Sequence, residues 1–126
     1  MSFTVDWVDS QHTVIHANFI NHWDWSELYG ALENAHKLML KSNRHITLML
    51  DFVGSAKATR TDALFSIADE VIPPANLVRI IIVSDDTVLG EKMSDLLRRF
   101  YPDAQAIHNT ESHQEASEII HEVAAT

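Results

Sequence analysis

Phe3, Val5 and Trp7 alternate with Thr4 and Asp6, the period-two signature of a half-buried strand. Asp9-Ser10-Gln11 follows as a short hairpin connection. Beyond it Thr13, Ile15, Ala17 and Phe19 share one face, and Val14, His16, Asn18 and Ile20 the other, so the two strands are expected to pair antiparallel. The period then becomes helical. Asp24 stands where a first turn needs a cap, and Glu27 follows in capping-box register. Trp25, Leu28, Tyr29, Leu32, Ala35, His36 and Met39 form an inner stripe, with Glu27, Glu33, Asn34, Lys37 and Lys41 mainly outside it.

Ile46 to Phe52 alternates again, with Ile46, Leu48, Leu50 and Phe52 on one face and Thr47, Met49 and Asp51 on the other. A polar loop from Val53 to Thr61 leads to a second helix with Leu64, Ile67, Ala68 and Val71 inside, ended by Pro73-Pro74. Val78 to Ser84 is a β-branched run suited to a central strand covered on both faces. Asp85-Asp86-Thr87 opens a third helix that buries Leu89, Met93, Leu96, Leu97 and Phe100 and closes at Pro102. A short strand over Gln105 to His108 precedes a last helix, where Ser112 and Glu115 stand in capping-box register and Ala116, Ile119, Ile120 and Val123 face inward. The order β-β-α-β-α-β-α-β-α predicts an α/β fold with a mostly parallel sheet, right-handed crossovers and an antiparallel hairpin strand at or near one edge.

At 126 residues the chain is expected to form one domain over 1–126. Nine basic against 18 acidic residues give a net charge of −9, which makes nucleic acid and anionic membrane surfaces poor partners. With no cysteine, disulfides, thiolate zinc sites and cysteine nucleophiles are excluded. The amino end has neither a basic n-region nor an apolar h-region, and the longest apolar run, Ile80 to Val83, is far short of the ~20 residues of a membrane helix. A cytoplasmic protein without membrane insertion is the expectation.

Ligands in parallel α/β sheets collect beyond the carboxyl ends of the strands. Two segments fall there: the loop carrying Ser55, Thr59, Arg60 and Thr61, and the turn Ser84-Asp85-Asp86-Thr87. If their strands are neighbours, Asp51, Asp85 and Asp86 converge as oxygen ligands suited to Mg²⁺. Capping by Asp85 and Asp86, with Asp51 closing its strand on nearby backbone, explains the same positions without a metal. Histidine spacing gives no zinc pair: His12 and His16 on one strand face stand about 13 Å apart at ~3.3 Å per residue. His36, at the margin of an apolar stripe, reads as packed and hydrogen-bonded. Protonating all eight histidines would raise the formal charge from −9 to −1, leaving open an acid-sensitive association. Trp23 and Trp25 fit a hydrophobic staple and a core stripe, or anchors for an apolar ligand. No glycine-rich phosphate loop or nucleophile elbow is present.

The strand pair, His22-Trp23-Asp24-Trp25-Ser26-Glu27, Ile46-Thr47-Leu48-Met49-Leu50-Asp51, Ile80-Ile81-Ile82-Val83 and the Phe100-Tyr101-Pro102 helix end together resemble a SpoIIAA-like domain of the STAS group. That resemblance implies helices mainly on one sheet face and a bacterial cytoplasmic protein acting through protein contact or a small ligand. The phosphorylatable Asp-Ser-Ser-Gly motif of the anti-sigma antagonists falls at Thr59-Arg60-Thr61-Asp62. Only Thr61 keeps a hydroxyl where the modified serine stands, and Asp62 replaces the glycine. The expected function is a non-enzymatic binding or regulatory module. It needs no cofactor or metal, and its surface comprises Ser55, Thr59, Arg60, Thr61 and Asp62, with a protein partner and a possible homodimer. The alternatives are a carrier of a small apolar ligand, as in the related CRAL-TRIO domains, using Trp23, Trp25, Asp85 and Asp86, and a Mg²⁺-dependent enzyme using Asp51, Asp85 and Asp86.

Overall fold

A computed structural model describes residues 3–20, 22–54, 74–104 and 106–125. Ser55, Thr59, Arg60, Thr61 and Asp62, the second predicted helix and the side chain of Trp25 lie outside the described residues. Five strands form one sheet in the order β1 (Phe3–Trp7), β2 (Val14–Phe19), β3 (Ile46–Asp51), β4 (Leu77–Val83) and β5 (Ala106–Thr110). β1 runs antiparallel to β2 at the sheet edge, and every later pairing is parallel. The α/β class, the parallel sheet and the edge hairpin therefore match the hydrophobic pattern.

The hairpin turn is longer than its sequence suggests. The Asp9 carboxylate accepts from the backbone N–H groups of Thr13 and Val14 and from the Thr13 hydroxyl. Burial raises the Asp9 pKa, but these hydrogen bonds outweigh it and hold the carboxyl below its usual range. The turn therefore extends to Thr13. His12, expected on the strand beside His16, sits in it at φ 58° with its ring stacked on Trp7 at 4.5 Å.

Helix α1 (Trp25–Met39) begins at the Asp24 cap, whose side chain accepts from the Glu27 N–H. Its Leu28, Ala31, Leu32, Ala35 and Met39 pack on Phe3, Ile15, Ala17, Phe19, Leu48 and Leu50. Helix α2 (Thr87–Phe100) lies on the same face through Leu89, Met93, Leu96, Leu97 and Phe100. Helix α3 (His113–Ala125) does not. Its Ala116, Ile119 and Ile120 pack on Ile81, Val83, Met49 and Val53, the opposite side of the sheet. The described helices thus divide two to one between the faces.

Two local features shape the faces. The β3–β4 register shifts between Ile46 and Thr47, which pair with Leu77 and Arg79, so Val78 is an extra residue. Leu77 and Ile80 therefore both reach the α1–α2 core although they stand three apart. β5 extends past the predicted His108 to Thr110, because Asn109 and Thr110 continue the ladder beside Ile82 and Val83. The Thr110 hydroxyl also donates to the Ile82 carbonyl at 2.8 Å.

Candidate functional site

Asp51 ends β3 with Asn18 beside it on β2 and Val83 on β4, at the carboxyl rim where open parallel sheets hold ligands. Alternation turns its side chain to the face that α3 covers, together with Met49 and, on β2, His16. The Asp51 carboxylate is buried, with a side-chain exposure of only 5%. One oxygen, Oδ2, accepts from His16 Nε2 at 2.9 Å and from His113 Nε2 at 2.7 Å. The other, Oδ1, accepts from the Val53 N–H at 3.1 Å. His113 is the first residue of α3, so this bond ties the start of that helix to the end of β3.

The electrostatics follow from these contacts. Burial alone would push the Asp51 pKa up. The hydrogen bonds from His16, His113 and Val53 and the charge of His113 outweigh that penalty and hold the carboxyl below its ordinary range. Asp51 is therefore the acceptor for both rings. Of the two, His113 is the more open to solvent, with 61% of its side chain exposed against 32% for His16. The arrangement presents an oriented imidazole at the rim, its ring held by a buried carboxylate.

The acidic residues expected at the rim are spent differently. Asp86 caps α2, accepting from the Val88 and Leu89 N–H groups, and its own N–H donates to the Ser84 hydroxyl. Asp85 is exposed. Among the described residues no three His, Asp or Glu side chains are grouped to hold a metal ion. Asp51 does bond nearby backbone, through Val53, and also the two histidines. Trp23 is 3% exposed, tilted against Phe19 and Phe52 at 5.4 and 5.2 Å, so its ring belongs to the core.

Sequence reasoning missed the convergence of His16 and His113 on Asp51. Half of the signal was present: parallel pairing puts His16 and Asp51 on one face once their strands are neighbours. His36 matches its reading, because its Nε2 shares a 2.6 Å hydrogen bond with the buried Tyr101 hydroxyl. Among the described residues no helix is long and apolar enough to cross a membrane. Compared with known proteins, the chain matches no family model, no curated protein and no solved structure.

Proposed function

We propose that this chain is a non-enzymatic binding or regulatory module of the STAS-like kind, acting by protein–protein contact through the carboxyl rim of its sheet. The observation that supports this reading is the His16–Asp51–His113 cluster, which fixes both the end of β3 and the start of α3. The polar segment with Ser55, Thr59, Arg60, Thr61 and Asp62 follows four residues after Asp51 in the sequence. The strand end that leads into that segment is held by the hydrogen bonds at Asp51, and a partner contacting the rim would find the exposed His113 ring oriented by the same carboxylate. A bacterial cytoplasmic setting, and a homodimer paired through the β1 edge, belong to the same reading.

The test is quantitative affinity capture from a native lysate. Wild-type protein is compared with a variant carrying alanine at Thr59, Arg60 and Thr61, and with His113→Ala, at matched melting temperature. One partner retained by the wild type and lost from the loop variant is the expected result. Identical recovery by all three proteins, or turnover of a metabolite by the purified chain, would overturn the reading.

A further inference from the structure

The amino-end half of the sheet carries a second feature, on the face that α3 covers. Val14, Thr47 and Arg79 stand side by side across β2, β3 and β4. They floor a groove of about 430 Å³, walled by Thr13 and His45 on one side and by Ile120 and His121 of α3 on the other. That volume lies within the ~300–1,000 Å³ usual for small-molecule sites. In a regular strand consecutive residues face opposite ways, yet Val78 and Arg79 both line this groove. The extra residue in β4 makes that possible, and bulges often mark places where a strand is bent to serve a site.

Arg79 is the unexplained group. Its Nε–H is buried and has no acceptor among the described residues. Leaving a buried donor unpaired is costly, so such a group calls for a water or a ligand. In a chain of net charge −9, a groove-lining arginine whose buried Nε–H finds no acceptor among the described residues stands out. Asp9 also borders the groove, but its carboxylate is turned into the hairpin and accepts from Thr13 and Val14. An adjoining hollow shares Gln11 and His12 lies on its wall, and it brings two more cations, Lys41 and Arg44, to the same end of the sheet. Val8, Val14, Val78 and Ile120 give the groove an apolar lining.

We propose that this groove binds a small organic anion, with a carboxylate or phosphate head on Arg79 and an apolar body along Val14, Val78 and Ile120. A guanidinium holds either head through paired N–H donors, and the neighbouring Thr47 adds a hydroxyl on the same sheet face. The proposal does not rest on the rim reading. The groove lies near the amino ends of the parallel strands and the rim at their carboxyl ends, so either can fail alone.

Titration calorimetry with octanoate, octyl phosphate, octanol and inorganic phosphate tests it. Octanoate or octyl phosphate is expected to bind at least tenfold more tightly than octanol and than inorganic phosphate. Arg79→Met, which keeps the apolar stem and removes the fork, should weaken the octyl anion at least tenfold. An affinity unchanged by Arg79→Met would overturn the proposal, as would octanol binding as well as octanoate, inorganic phosphate binding as well as octyl phosphate, or no binding of either octyl anion. Should Arg79→Met fail to fold, amide shift mapping on the wild type decides. Shifts centred on Val14, Thr47 and Ile120 support the groove, and shifts centred elsewhere overturn it.

Discussion

His113 donates from Nε2 to Asp51 Oδ2 at 2.7 Å across 62 positions of sequence. That bond joins the first turn of the last helix to the end of a central strand, and the same oxygen accepts from His16 on the next strand. Three elements that are remote in the chain are thereby pinned at one atom.

Removing that atom should be costly. Asp51→Ala deletes two hydrogen bonds to imidazole rings and one to the Val53 N–H, and it leaves a void under α3. The expected loss is about 2–3 kcal/mol, a melting-point drop on the order of 10 °C. The folded pKa of Asp51 is depressed, so its contribution is complete above the unfolded value near 3.8 and is lost as pH falls through the folded value. Urea melts of both proteins at pH 7 and pH 3 check this. The gap between them should be large at pH 7 and shrink at pH 3.

His36 supplies a different pH dependence. Burial holds its pKa below the usual imidazole value despite the opposing charge of Glu33. The unfolded chain therefore takes up a proton near pH 6.5 that the folded chain refuses, and stability falls as pH drops below that point until the folded value is reached. His36→Leu should flatten this acid limb by up to one proton's worth, about 1.4 kcal/mol per pH unit, in melts between pH 7.5 and 5. Tyr101→Phe removes the hydroxyl that shares a hydrogen bond with His36 Nε2 and should cost about 1–3 kcal/mol at pH 7.5.

Gly90 lets α2 close on β5. A Cβ built there would meet Asn109 Oδ1 at 2.6 Å, but that atom ends an exposed side chain that can swing aside. Gly90→Ala should be near neutral alone, its gain in helix propensity offset by the displaced amide. Combined with Asn109→Ser it should stabilise by about 0.5–1 kcal/mol more than the two single changes together. A double-mutant cycle in urea measures the coupling.

Much of this architecture can be read from local pattern. The alternation of Phe3 to Trp7, the Asp24, Asp86 and Ser112 caps, and the continuous run through Ile80 to Val83 each depend on near neighbours, and each appears where the pattern puts it. What escaped depends on distant partners. The face chosen by α3 is set by which strands its Ala116 stripe finds, and the meeting of His16 with His113 requires that choice first. The Val78 bulge likewise exists only in relation to β3. His12 left its expected strand because the Asp9 side chain competes with the ladder for the Thr13 and Val14 N–H groups.

The unequal division of helices has a thermal consequence. α1 and α2 share the large buried cluster with Phe19, Phe52 and Phe100, whereas α3 rests on the three-residue cluster of Ile81, Val83 and Ala116. Amide protons of α3 should then exchange with solvent deuterium through a cheap, separate detachment, while those of β3 and β4 wait for the whole chain to open. The molecule would breathe from its last helix, and the grip of two imidazoles on one carboxylate would set how often.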